Sequence, residues 1–236
     1  MTEESPGRSR RSVLAAGATA ATVGLAGCAG LAGDLSFESG SATVTAQARS
    51  EAGYQEAGVT AIPFSRQVSL GPIRRTVEVT NLLAEYDRSV GLDSGGLTDG
   101  LGIPTDARAA VFAAFTTPAV DIFGRTLNPV ANLSTDELAN LIQQHYGGFR
   151  NLATDAELSG TLLGQSTGVT RYTAEADLLT TAVVSTDVPI YLYVGTPVRA
   201  GEDFVLTVAA HPRAAGPREG TMRTLLEGVE HAAGSA

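Results

Sequence analysis

Val188-Pro-Ile-Tyr-Leu-Tyr-Val-Gly-Thr196 and Phe204-Val-Leu-Thr-Val-Ala-Ala-His211 decide the fold. Both runs are rich in β-branched and aromatic residues. Arg199-Ala-Gly-Glu-Asp203 between them carries turn chemistry, so the pair reads as an antiparallel hairpin. In the first strand Ile190, Leu192 and Val194 take one face, and Tyr191 and Tyr193 the other. A strand that is apolar on both faces has to be covered on both. The hairpin is therefore expected in the middle of its sheet.

Further elements follow on either side. Pro217 opens a helix whose stripe is Met222, Leu225, Leu226 and Val229, with Arg223, Glu227 and Glu230 outward. Upstream, Thr167 to Asp177 reads as a strand. Ser134-Thr-Asp-Glu137 is a capping box, in which the Ser134 hydroxyl accepts from the Glu137 N–H and the Glu137 carboxylate returns the bond. The helix it starts places Leu138, Leu141, Ile142 and His145 on one stripe and stops at Gly147-Gly148. Ala109 to Thr117 reads as a strand closed by Thr116-Thr117-Pro118, with Val120 to Phe123 a short partner.

Thr76 to Val90 alternates, with Val77, Val79 and Leu83 on one face and Glu78 and Thr80 on the other. That is the pattern of a half-exposed antiparallel strand. Phe37 to Arg49 reads as a strand, and Tyr54 to Gly58 as a helical turn stopped by Gly58. The order is strands, helix, strands, helix. It predicts an α+β fold, an antiparallel β-sheet flanked by helices, in one domain over 35–236. Regular βαβ alternation is not seen.

The first 28 residues carry an address. Arg8, Arg10 and Arg11 form a basic region ahead of Val13 to Ala26, an uncharged Ala/Gly-rich run. That run is short of the ~20 strongly apolar residues of a membrane span and has signal-peptide proportions. Ser9-Arg-Arg-Ser-Val-Leu14 resembles the twin-arginine export motif, with Val13 where that family usually has Phe. Leu25-Ala-Gly-Cys28 resembles a lipobox, which implies cleavage before Cys28 and a diacylglycerol on its sulfur. The competing reading is an uncleaved anchor with an unmodified cysteine. The expected organisation is thus a signal peptide over 1–27, a lipidated tether over 28–34 and the domain after it. Two acyl chains suffice for stable attachment at ~0.8 kcal/mol per buried methylene. Cys28 is the only cysteine, so an internal disulfide is excluded.

Composition narrows the partners. The 236 residues carry a net charge of −9. Removing the leader takes away Glu3 and Glu4 but also Arg8, Arg10 and Arg11, which leaves −10. Nucleic-acid binding needs a basic stripe, and none is present. An anionic membrane surface would repel the domain, so contact with the membrane is expected only through Cys28. All 16 basic residues are Arg. Acidic, Lys-free composition fits a haloarchaeal surface, and a GC-rich genome gives the same substitution of Arg for Lys.

Phe115-Thr-Thr-Pro-Ala-Val120, the Leu127-Asn-Pro129 turn, the capped helix at Ser134, the Val188 to Pro212 hairpin and Leu225-Leu-Glu-Gly-Val-Glu-His231 carry a resemblance. They look like a family of haloarchaeal twin-arginine-exported lipoproteins of unknown function, from about Leu35 to His231. The shared features are packing and turn motifs, so the resemblance implies fold and kinship. The element order is also similar to PsbP-like domains, which implies binding or scaffolding of partners.

Chemistry-bearing patterns are sparse. Gly164-Gln-Ser-Thr-Gly168 matches the G-x-S-x-G nucleophile elbow, but that elbow needs a helix after the serine and Val169 to Thr173 is β-rich. Ser166 with His211 or His231 as base, and Asp177, Asp187 or Asp203 as acid, is the esterase-like alternative. His145, His211 and His231 show no metal spacing. Asp93 and Asp99 offer oxygens in a Gly-rich loop without the calcium-loop order. Asn132-Leu-Ser134 is a glycosylation sequon, and Ser134 is equally the helix cap.

No catalytic, cofactor-binding or metal residues are assigned. The expectation is a lipid-anchored protein at the extracellular face of the cell membrane, with a non-enzymatic domain that binds a protein or envelope partner. The alternative is a small-molecule or lipid-binding lipoprotein, which requires a sizeable apolar pocket between helices and sheet. Fractionation tests the address. Cys28→Ser is expected to move the protein from the membrane to the soluble fraction, and Arg10→Lys with Arg11→Lys to hold it inside the cell. Unchanged distribution of both variants would overturn the reading.

Overall fold

The computed structural model describes residues 35–70, 73–89, 108–122, 125–126, 128, 130, 133–146, 149–181 and 184–234. The leader with Arg10, Arg11 and Cys28, the tether, the Asp93/Asp99 loop, Asn132 and the Gly147-Gly148 stop lie outside them.

The expected hairpin is present. β10 (Val184–Gly195) and β12 (Asp203–Pro212) pair antiparallel, with Ile190 opposite Pro212 and Val194 opposite Val208. Between them β11 (Val198–Ala200) folds back on β12. The other strands are β1 (Leu35–Glu38), β2 (Ala42–Val44), β3 (Gln55–Leu70), β4 (Ile73–Ser89), β5 (Arg108–Pro118), β6 (Asp121–Ile122), β7 (Arg125–Thr126), β8 (Phe149–Leu162), β9 (Gln165–Thr181) and β13 (Val229–His231). The main sheet runs β1-β4-β5-β12-β10-β9-β8, with β3 added along β4. Its pairings are antiparallel except β1 with β4.

β10 and β12 lie in the middle of that order and are buried on both faces. One face carries Tyr191, Tyr193, Val205 and Ala209, packed with helices α1 (Ala46–Ala52) and α3 (Glu219–Glu227) and the small β2–β13 sheet. The other carries Ile190, Leu192, Val194 and Leu206 under helix α2 (Thr135–Tyr146). The result is α+β with helices on both sides of a mostly antiparallel sheet, as expected.

The capping box forms as its spacing requires. The Glu137 N–H donates to Ser134 Oγ at 3.2 Å, and the Ser134 N–H donates to Glu137 Oε2 at 2.8 Å. These bonds hold the fully exposed Glu137 carboxyl below the usual range.

Several expectations are corrected. Phe37 to Arg49 is not one strand: β1 and β2 are short, and α1 begins after Thr45, whose Oγ1 accepts from the Ala48 N–H. Gly53, at φ 72°, ends that helix. Tyr54 to Gly58 is therefore no helical turn, because β3 has already begun; Gly58, at φ 148°, marks a bulge. On α2, Ala139 rather than Leu141 joins Leu138 in the core, and Leu141 is exposed. Val229 is buried as expected, but on β13, since α3 stops at Gly228. β8 has no counterpart in the sequence reading. Two register irregularities and a positive φ at Asn151 break its period.

Gly228 is where the helices meet. A Cβ there would stand 2.3 Å from the Ala48 Cβ of α1, although its φ of −82° suits any residue. Gly228→Ala is expected to destabilise the domain by about 2 kcal/mol through overpacking. Ala48→Gly costs ~1 kcal/mol of helix propensity alone but removes the clash. The double variant should then be more stable than Gly228→Ala in chemical denaturation, and additive losses would overturn the account.

Candidate functional site

The central strands set up one polar-aromatic row on the α1/α3 face. Tyr86, Phe112, Ala209, Tyr193 and Arg171 stand opposite one another across β4, β5, β12, β10 and β9. Arg171 bonds Asp155 and Glu219, each at 2.5 Å, and so straps the sheet to the start of α3. Burial works against its charge, but Asp155, Tyr193 and Glu219 hold its pKa above the ordinary value. Its guanidinium also lies 5.0 Å from the centre of the Tyr191 ring.

Tyr193 is 3% exposed, and its hydroxyl is closed off from solvent beside the Arg171 guanidinium and the Arg218 backbone. Burial raises its pKa against the opposing influence of Arg171 and the Arg218 backbone, so the phenol is neutral at pH 7.

His211, one strand over, is 1% exposed and sits between Tyr191 and Tyr193, with ring centres 5.7 and 5.6 Å away. Its Nδ1 is 3.1 Å from the Pro212 carbonyl oxygen, which can only accept. Nδ1 therefore carries the proton, and Nε2 is a buried acceptor with no partner among the described residues. Burial, with help from Arg218 and Arg171, lowers the His211 pKa.

Beside this row lies a cleft of about 280 Å³ between α3 and the sheet. Its floor has little side-chain bulk, since Gly160, Gly195, Thr207 and Ala209 line it. Its apolar walls are Phe112, Leu158, Val169, Met222 and Leu226. The cleft lies between a helix and the sheet, with Glu157, Glu219 and Arg223 also in its lining. Sequence reading missed it. The available signal was Gly160 and Gly195 inside strands, where glycine marks close approach.

The esterase-like constellation does not assemble around His211. Ser166 follows the β8–β9 turn, where Leu163 and Gly164 have φ 52° and 73°, and it continues into a strand instead of a helix. His211 is level with Tyr191, which pairs with Thr173, seven residues from Ser166 along β9. At ~3.3 Å per residue that is about 23 Å. Asp187 is exposed and paired with Arg150. Asp203 does pair with a histidine, His231, at 2.8 Å, and it also accepts the Gly40 N–H at 2.9 Å. No hydrogen bond among the described residues links Ser166 to either histidine. The side chains of His145 and Asp177 lie outside the description. Among the described residues no three His, Cys, Asp or Glu are placed to hold a metal, and no helix is long and apolar enough to cross a membrane.

What stands out among the described residues is an α+β domain with a small, glycine-floored cleft beside a buried Tyr-His-Arg row. The chain matches the family described as a domain of unknown function, DUF6517, over residues 41–230, and belongs to it. No curated protein matches it.

The buried imidazole gives a pH signature. With its pKa below the ordinary ~6.5, the unfolded chain binds the proton more readily than the folded one. This contribution to stability is present above pH ~6.5 and is lost as pH falls toward the folded value, by at most ~1.4 kcal/mol per pH unit. His211→Phe should flatten that part of the stability profile between pH 7 and 5. Identical slopes in urea unfolding would sink the assignment.

Proposed function

We propose that this chain is a lipoprotein exported by the twin-arginine route and held by Cys28 at the extracellular face of a haloarchaeal membrane. Its domain acts there as a non-enzymatic binding module for a protein partner. The leader motifs and the Lys-free acidic composition support the address.

The observation that carries the binding role is β3. It runs for 16 residues and, among the described residues, pairs only with β4. Val59 and Phe64, on its two faces, are 45% and 55% exposed. Edge strands are usually blunted, because a free edge templates strand addition. Pro63 and the bulge at Gly58 break this edge in part, and an unbroken stretch follows Pro63. An extended segment of the partner adding beside β3 gains backbone hydrogen bonds, with Val59 and Phe64 offering side-chain contacts. The similarity of the element order to PsbP-like domains, which bind or scaffold partners, points the same way.

Photo-crosslinking in native high-salt membranes tests this. Ser65→p-benzoylphenylalanine on β3 should give one discrete adduct, and the same probe in place of Glu227 on α3 should not. Phe64→Asp should cut the adduct at least ~10-fold, as for a binding hot spot. It should leave folding within ~0.5 kcal/mol, since Phe64 is exposed. Equal labelling from both positions, or none, would overturn the reading.

A further inference from the structure

The end of the β3–β4 hairpin differs in charge from the rest of the domain. Between Glu56 and Glu78 there is no acidic residue, and three arginines, Arg66, Arg74 and Arg75, fall close together. The whole chain carries −9, so this end is a basic patch on an acidic protein. Arg66 and Arg74 are exposed. The end also stands apart in the sheet. β1 pairs with β4 over 77–80 and β5 pairs with it from Leu82 onward, so among the described residues 73–76 of β4 pair only with β3. A two-stranded ribbon is marginal in water unless something packs on its face.

Register sorts the residues of this ribbon. Arg66 is opposite Val77, Val68 opposite Arg75 and Leu70 opposite Ile73. Opposed residues share a face, and the period along each strand is two. One face of the end therefore belongs to Val68, Leu70 and Ile73 with Arg66 and Arg75, and the other to Gln67, Ser69 and Arg74. Apolar residues flanked by arginines suit the boundary between lipid headgroups and acyl chains, where a guanidinium meets phosphate through two hydrogen bonds. An acidic peptide would use the arginines and leave the apolar residues in water. The chain entry also favours a membrane. β1 is parallel to β4 and starts with Leu35 opposite Val77, so the domain is entered at the end from which the ribbon projects. Ile73 is four residues beyond Val77, about 13 Å at ~3.3 Å per residue. Cys28 is seven residues before Leu35, a reach of at most ~25 Å. A lipid on Cys28 would keep the headgroups within that reach, and the ribbon spans about half of it.

We propose that the end of the β3–β4 hairpin, residues 66–70 and 73–75, docks on anionic phospholipid of the membrane that holds Cys28. This rests on the anchored reading of Cys28 and is independent of the partner at the β3 edge. Net charge alone sets the domain against an anionic surface, but the distribution of charge makes this end the exception and turns the acidic body outward. At 1 M salt screening acts beyond ~3 Å, so contact pairing of arginine with phosphate and burial of the apolar residues are what persist.

The test uses the full chain with Cys28→Ser and Ser69→Cys, which leaves one cysteine to carry an environment-sensitive fluorophore. In 1 M KCl, phosphatidylglycerol vesicles should give a saturable blue shift, and phosphatidylcholine vesicles should need ~10-fold more lipid. Arg66→Gln, Arg74→Gln and Arg75→Gln together should raise the half-saturating phosphatidylglycerol ~10-fold. Leu70→Gln with Ile73→Gln should act in the same direction and serves if the first variant misfolds. The same label at Glu227→Cys on α3 should not shift. The leader is identical in every chain compared, and with Cys28 replaced the failure of the anchor leaves this result unchanged. The proposal is overturned if phosphatidylglycerol gives no shift at Ser69→Cys, if phosphatidylcholine binds as well, if the variants bind like the parent, or if Glu227→Cys shifts equally. A shift with polyglutamate in place of vesicles would assign the end to an acidic protein and overturn it too.

Discussion

Burial of β10 and β12 on both faces is the constraint on which the other elements depend. Val194 and Val205 are fully buried, yet they belong to different cores on opposite sides of the sheet. A slip of one residue would exchange Ile190, Leu192 and Val194 with Tyr191 and Tyr193. Phenol hydroxyls would then enter the α2 core, where Leu138 and Ala139 offer nothing to bond. The register is therefore fixed by two cores at once. That fixed register sets Arg171 opposite Tyr193 and His211 opposite Tyr191.

Small residues then decide where the layers touch and where they part. Gly160 and Gly228 bring α3 into close contact at two points, and Gly195 and Ala209 leave room between them. Arg171 adds a strap from the sheet to Glu219. Glu219 is 44% exposed, so this ion pair adds little stability in water. Its effect is positional: it ties the first residue of α3 to β9 beside Tyr193.

The readable parts of the fold were those with local chemistry. The Ser134–Glu137 box, the two-faced Val188 to Thr196 strand and the Met222/Leu225/Leu226 stripe each state their burial within a few residues. The illegible parts depend on distant partners. β8 is polar and bulged, and becomes a strand because β9 offers its free edge. α1 was hidden by residues compatible with either state, and the Thr45 cap decided it. The cleft was signalled only by single glycines inside strands, since Gly160, Gly195 and Thr207 come from three strands whose adjacency is a property of the whole sheet. The G-x-S-x-G pattern, discounted in the sequence for its β-rich continuation, shows the reverse case, for its spacing is local while the register sets His211 far along the sheet from Ser166.

The chain entry bears on the proposed anchor. A tether pulling at Leu35 would load β1, which is only four residues long. The next residues spread that load. The Ser39 N–H donates to the Thr80 carbonyl at 3.0 Å, and its hydroxyl approaches Thr116 at 3.3 Å. The Gly40 N–H donates to Asp203, which also holds His231. A side chain on Gly40 would collide with the Ala232 carbonyl, so the two ends of the domain pass in direct backbone contact. Force entering at β1 meets its pairing with β4 first, and behind it the bonds of Ser39 to β4 and β5 and of Gly40 to Asp203 of β12. The buried Asp203 side chain, bonded to Gly40 and to His231, joins the first and last described segments of the domain across β12.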